Sequence, residues 1–237
     1  MGRAKAYMNT ALNSNPDITV LVLNETDWKT YAAMLVYGFP HPPDNYTLAV
    51  AATDNDFWKS YIPPVDNLPV PLSNKIKATY NSGEGKLSMR PFFDLLAIHE
   101  MAHLYHNQEK KSFPRKWLTE LFANVFLHTY IAEKEPVLLP ALETFPAMVV
   151  GAGSSEYKYT SLKDFEELYI NVGAKNYGWY QTRLHAAAKS IYNAGGTKPL
   201  HAMWDHLSID NNISDEELIS LLKEKVHPEI AKVALTW

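Results

Sequence analysis

Residues 99–103 read His99-Glu100-Met101-Ala102-His103. On a helix, positions i and i+4 lie on one face, a turn apart. Two imidazoles so placed can hold a single zinc ion, with Zn–N distances of about 2.0–2.1 Å. Glu100 projects beside the pair, where it can take a proton from a water that the metal activates and pass it to a leaving amine. The plainer alternative is two unrelated histidines on an ordinary helix, and the specificity of HExxH for metal weighs against it. A catalytic zinc usually has three protein ligands and one open position. The chain has no cysteine, so the third ligand must be His, Asp, Glu or a backbone oxygen.

With the motif in hand, residues 91–130 resemble the gluzincin metallopeptidases, the zincins related to thermolysin and the M1 aminopeptidases. The resemblance implies a third ligand from a glutamate on the next helix. The matching residue is Glu120, in Trp117-Leu118-Thr119-Glu120-Leu121-Phe122-Ala123-Asn124, seventeen positions after His103. A carboxylate on an otherwise apolar helix is costly unless paired, and a metal ion supplies the pairing. Thr119-Glu120 stands where many members carry Asn-Glu. Asn124 stands where thermolysin-like enzymes place an aspartate that orients a ligand histidine, a task its amide oxygen could perform. The metzincin pattern HExxHxxGxxH fits less well. His106 replaces its glycine and Glu109 its third histidine, so Glu120 is preferred over Glu109. His106 and His128 are expected at the surface or behind the ligands. Gluzincins often steady the oxyanion with a C-terminal Tyr or His. Tyr157, Tyr159, Tyr169, Tyr177, Tyr180 and His185 are available, and the cluster Asn176-Tyr177-Gly178-Trp179-Tyr180 ranks Tyr180 first, then Tyr177, then His185. No GxMEN-like element for a substrate amine is found, which favours an endopeptidase or small-peptide peptidase.

These residues need elements to carry them. Pro91 suits a helix start, and Phe92, Leu95, Leu96, Ala102 and Tyr105 recur at helical spacing to about Asn107. A second helix runs from Pro114 to about Glu133. The later helices fall near 161–171, 178–193, 199–207 and 214–224. Upstream, Ile18–Leu23 and Tyr46–Ala52 read as strands, with a short helix from Thr26 towards Val36 between them. Lys75–Tyr80 and Lys86–Met89 read as a hairpin around Asn81-Ser82-Gly83-Glu84-Gly85. Strands first and helices after give an α+β class: a zincin-like fold with a small N-terminal β-sheet, active-site helices and a mostly helical C-terminal part. A weak boundary near 135–155 divides a lobe 1–135, with the sheet and the HExxH helix, from a helical lobe 136–237, unless the two form one continuous domain. The strand 46–52 would hold an extended peptide by strand addition.

The chain's 237 residues allow a sizeable core, with 46% hydrophobic and 20% charged residues. A net charge of −4 with scattered Lys and Arg argues against nucleic acid. No apolar run reaches the length of about 18 residues that a membrane span requires. Residues 1–13 show no signal-peptide pattern, so the expectation is a cytoplasmic protein, or a secreted or periplasmic one whose leader was removed. The resulting expectation is a hydrolase with one Zn2+, a metallopeptidase acting on peptide or protein. The alternatives are a zincin-like binding module that cleaves nothing and a zinc amidohydrolase with a non-peptide substrate.

Overall fold

The computed structural model describes residues 1–83, 85–209 and 211–237. Its elements follow the chain as α1 (Gly2–Leu12), β1 (Thr19–Leu23), α2 (Glu25–Tyr31), β2 (Thr47–Ala51), α3 (Asp56–Lys59), α4 (Val70–Tyr80), β3 (Asn81–Gly83) and β4 (Lys86–Leu87). Then come α5 (Arg90–Gln108), α6 (Lys116–Lys134), α7 (Leu139–Gly151), α8 (Leu162–Leu168), α9 (Ala174–Gly195), α10 (Lys198–His206), α11 (Asp215–Leu221) and α12 (Pro228–Thr236). The class is α+β and mainly helical, 65% helix and 7% strand. Among the described residues no helix is long and apolar enough to cross a membrane.

The sheet is smaller than its two apolar runs imply. β1 and β2 pair in parallel, from Thr19 opposite Thr47 to Leu23 opposite Ala51. A parallel pair needs a crossover, and α2 with the loop behind it supplies one. Asn24 starts α2 by accepting the Asp27 N–H at 2.9 Å. The other edge of β2 is closed at its centre, because His41 and Ala49 exchange both backbone hydrogen bonds, at 3.2 and 2.9 Å. The seat expected for an extended peptide is therefore occupied at Ala49.

Lys75–Tyr80 is helix, not strand. Its alternation of apolar and polar residues imitates a strand over six positions, but Pro71 lies in the first turn of a helix that buries Ser73, Ile76 and Tyr80 on one stripe. Only β3 and β4 remain of the hairpin, and Glu84 between them lies outside the described residues.

α6 is the axis of the molecule. It is buried around nearly its whole circumference from Trp117 to Ile131, as a helix without a polar face must be. It packs against α5 and α9, and α7 packs on α9 and α5. One hydrophobic cluster thus joins residues from both sides of position 135, including Leu104, Leu121, Phe126, Leu184 and Leu200. A second, aromatic cluster of Trp28, Trp58, Tyr80, Phe92, Phe93 and Phe145 lies between the sheet and α4, α5 and α7.

Residues 32–39, after α2, form a flap pinned at its base. Trp28 Nε1 donates to the Met34 carbonyl at 2.8 Å, and Trp58 Nε1 donates to the Gly38 carbonyl at 2.6 Å. Gly38 has φ +105°, and a Cβ there would run into the Asn55 amide, so glycine is needed on both counts. His41 is buried, and its Nε2 accepts the N–H groups of Ala33 at 3.0 Å and Met34 at 3.2 Å. Its Nδ1 faces the Phe39 carbonyl at 2.9 Å.

A nitrogen that accepts two N–H groups has no room for a proton. Burial also lowers the His41 pKa from 6.5, with the Phe39 carbonyl opposing weakly. The unfolded chain therefore binds the proton more readily, and the clasp's contribution is present above about pH 6.5 and lost as pH falls below it. On lowering from about pH 7.5 to about pH 5, the Ala33 and Met34 amide resonances should move towards unbonded positions as His41 titrates. In His41→Gln that transition should vanish. Amide positions in the wild type that ignore the His41 titration would disprove the clasp.

Candidate metal centre

The site is assembled from three helices. α5 brings His99, Glu100, His103 and His106, α6 brings Glu120 and Asn124, and α9 brings Tyr177, Gln181 and His185. His99 and His103 share a face by their i, i+4 spacing, and α6 packs back on α5 so that Glu120 meets them.

The nearest atoms form a triangle. His99 Nε2 lies 3.2 Å from His103 Nε2 and 3.1 Å from Glu120 Oε2, while His103 Nε2 lies 3.7 Å from the same oxygen. The tautomers follow from the surrounding bonds. Asn124 Nδ2 donates to the Glu120 carbonyl at 2.9 Å and to Gln181 Oε1 at 3.1 Å. That leaves Asn124 Oδ1 facing His99 Nδ1 at 3.3 Å, so His99 carries its hydrogen on Nδ1. His103 Nδ1 faces His106 Nε2 at 3.1 Å. With His106 accepting, both ligand histidines turn a bare Nε2 towards Glu120.

Glu120 is fully buried, with 0% exposure. Burial would raise its pKa, but His103 and His99, when protonated, outweigh burial by charge and hydrogen bonding and hold the carboxyl well below its ordinary range; with both rings neutral that support is gone, and a metal ion would take its place. Gln181 Nε2 donates to its Oε2 at 2.7 Å, and the Tyr169 hydroxyl donates to its Oε1. Three lone pairs, two imidazole and one carboxylate, therefore converge in a buried space. A tetrahedral zinc with bonds of about 2.0–2.1 Å separates its ligand atoms by about 3.3 Å, and the three distances here straddle that value. His99, His103 and Glu120 form a group able to hold a metal ion.

Glu100 sits next to the triangle and borders a cleft of about 490 Å³ that His99, Tyr177, Gln181 and His185 also line. Its carboxyl has no hydrogen-bond partner among the described residues. Burial pushes its pKa up to about 8, with His103 lowering it and Glu120 raising it.

The C-terminal residues divide. Tyr177 faces the cleft, and its hydroxyl accepts from Gln181 Nε2 at 2.9 Å. Burial, then Glu120, raises its pKa well above the ordinary value. His185 is 6% exposed, lines the cleft and has its ring 6.2 Å from that of His99. Burial, then His99, lowers its pKa well below 6.5. Tyr180 is placed elsewhere. Its hydroxyl donates to the Ser161 carbonyl at 2.8 Å, and its ring packs on Phe165 and Trp237. Position 180 is turned about 100° around α9 from Gln181, which carries its ring off the cleft and into that packing. Glu109, the metzincin alternative, accepts from Ser14 Oγ at 2.6 Å instead. Neither His106 nor His128 is at the surface. His106 backs His103, while His128 Nε2 pairs with Glu143 Oε1 at 3.1 Å.

Sequence reasoning missed Gln181, although the four-residue repeat of Tyr177, Gln181 and His185 was a usable signal. Tyr169 was only one of several tyrosines. It lies at the end of α8 with φ +50°, a conformation that spacing does not reveal.

Gln181→Ala removes the donor to Glu120 and the acceptor for Asn124. Stranding buried polar groups costs about 1–3 kcal/mol. The urea midpoint of chelator-treated protein should fall accordingly, and an unchanged midpoint would show that Gln181 does not hold the cluster.

No family model matches the chain, and no curated protein or solved structure matches it either.

Proposed function

We propose that the protein is a zinc-dependent hydrolase, a zincin-like metallopeptidase that cleaves an amide bond, with His99, His103 and Glu120 as ligands and Glu100 as general base. The observation that carries the reading is the convergence of three bare acceptor atoms in a buried space, with the HExxH glutamate beside them. Acceptors pressed together out of water repel unless a cation lies among them.

When bound there, zinc supplies a water of lowered pKa and polarises the carbonyl under attack. The residues do the rest. Asn124 and His106 fix the ligand rings through their Nδ1 atoms, and Gln181 and Tyr169 fix the Glu120 carboxylate. Such partners raise ligand basicity and set ring orientation. The Glu100 carboxylate takes a proton from the attacking water and returns it to the leaving nitrogen. A neighbouring cation favours its charged form and so opposes the effect of burial. Tyr177, already accepting from Gln181, keeps its own hydroxyl hydrogen for the developing oxyanion. His185, held neutral by burial, can donate a ring N–H from the same wall. Tyr180 has no part, because its hydroxyl is spent on Ser161.

One observation favours the second reading, a zinc amidohydrolase with a non-peptide substrate. The cleft beyond the polar wall is lined by Phe57, Phe92, Phe93, Leu96 and Phe145, which offer a peptide backbone no polar side chain.

Elemental analysis should find about one zinc per wild-type chain and clear loss in Glu120→Ala. Glu100→Gln should keep its metal and lose roughly 10²–10⁴ in kcat. Metal absent from zinc-supplied wild type would end the reading. Full hydrolytic activity in Glu100→Gln would reject the assigned base, and metal without any hydrolysis would leave a binding module.

A further inference from the structure

The cleft at the metal group has two unlike walls. His99 and Glu100 from α5 and Tyr177, Gln181, Thr182 and His185 from α9 form the polar one. Three of these groups are committed. His99 faces Asn124 through Nδ1 and Glu120 through Nε2, Gln181 is bound to Glu120 and Asn124, and Thr182 Oγ1 donates to the Trp179 carbonyl at 2.8 Å. Apart from the Tyr61 hydroxyl on the other wall, the free polar groups therefore gather at Glu100, Tyr177 and His185. The other wall is aromatic and aliphatic, ending in Ile170 and the flap residues Met34, Leu35 and Val36. Leu35 is 99% exposed, and Met34, Val36 and Ile170 are exposed beside it. No Lys or Arg lines the cleft, and Glu100 is its one acidic lining residue among those described.

We infer that the substrate is an uncharged N-acyl amide, whose long hydrocarbon chain fills the apolar wall under the flap while the amide lies at His99, Glu100 and Tyr177. The inference rests on the second form of the hydrolase reading, with a non-peptide substrate, for its chemistry, and on the cleft alone for its binding. An extended peptide brings an N–H and a C=O at every residue, and each must find a partner when buried. The aromatic wall offers those groups a single side-chain partner, the Tyr61 hydroxyl, and the edge of β2 is closed at Ala49. A hydrocarbon chain has no such groups. In the metal-free protein a free fatty acid fits poorly as well, because its carboxylate would meet Glu100 with no lining Lys or Arg to pair it. The volume of about 490 Å³ lies within the range of small-molecule sites.

The reaction adds water across the C–N bond. Hydroxide joins the acyl carbon, the proton joins the amine nitrogen, and no electron donor or acceptor is involved. The products are a carboxylic acid and an amine.

Binding and hydrolysis are tested separately. The neutral fluorophore N-phenyl-1-naphthylamine is bound to the wild type and to Glu100→Gln, each with and without zinc, and displaced by a series from hexanamide to dodecanamide and by dodecanoate. Displacement should tighten by up to about fourfold per added CH2 until the cleft is filled, and in the zinc-free protein dodecanamide should outcompete dodecanoate about tenfold or more. Leu35→Asp, at a fully exposed position that the fold does not need, should weaken dodecanamide about tenfold with metal content unchanged. Hydrolysis is then compared on dodecanoyl, hexanoyl and acetyl anilides and on unacylated peptides. Chain-length-dependent binding and cleavage support the inference. Binding with this dependence but no cleavage of any substrate supports the acyl cleft and refutes the hydrolase reading. Cleavage of unacylated peptides as fast as dodecanoyl anilide, or equal affinity of the zinc-free protein for dodecanamide and dodecanoate, overturns the inference and leaves the hydrolase standing.

Discussion

The burial of the Glu120 carboxylate constrains much of the structure. A carboxylate with no exposure, on a helix enclosed on nearly every side, is unfavourable unless opposite charge and hydrogen bonds surround it. α5 supplies two imidazole nitrogens that can share a proton or a metal ion with it, and α9 supplies the Gln181 amide. The end of α8 supplies the Tyr169 hydroxyl, which requires Tyr169 to hold a positive φ. Such strain persists where the surrounding packing over-determines it. The packing of α6 against α5 and α9 is thus also an electrostatic arrangement. Moving any of these helices by a turn would leave the charge without partners.

The same arrangement bears on one of the buried polar atoms that lack partners, His106 Nδ1. If His106 Nε2 accepts from His103, that Nδ1 carries the ring's hydrogen. Burial, then His103, lowers the His106 pKa to about 4, so the ring stays neutral and keeps its accepting nitrogen. The satisfied Nδ1 of His103 and the orphaned Nδ1 of His106 are two ends of one chain of bonds. His128 carries a similar orphan behind its bond to Glu143, and for that atom the structure offers no comparable account.

Much of the site was legible in the sequence because it depends on local periodicity. His99, Glu100 and His103 follow from spacing on a helix that Pro91 begins. Glu120 follows from the anomaly of a carboxylate in an apolar run. Asn124 lies one turn beyond it on the same face. What was not legible depends on tertiary placement. Gln181 reaches Glu120 only because α9 crosses α6 at that height. Tyr180 and Tyr177 are three residues apart, so choosing between them required the rotation of α9 about its axis. The same limit affected the fold. Residues 75–80 alternate like a strand, and only the wider window from Pro71 shows the helical stripe. α1 and α7 were not predicted at all. The apolar residues of α7, with Pro146 inside the helix, give little amphipathic signal and owe their form to packing on α4, α5 and α9.

The flap and the short sheet are best understood together. In a sheet with an open edge beside the active helix, β2 could pair with an extended chain. Here His41 closes that edge through its backbone and, through its ring, holds the Ala33 and Met34 amides. One residue thus removes a hydrogen-bonding surface and fixes an apolar one. The ring Nε2 can accept only while neutral, and its burial against Trp28 favours that form. The exposed tip at Leu35 would otherwise be driven to collapse by its own hydrophobicity. Anchoring through Trp28, His41 and Trp58 keeps it over the cleft mouth instead. Beyond the polar wall the cleft then offers apolar surface with the Tyr61 hydroxyl in it, while its other polar side chains are gathered on α5 and α9.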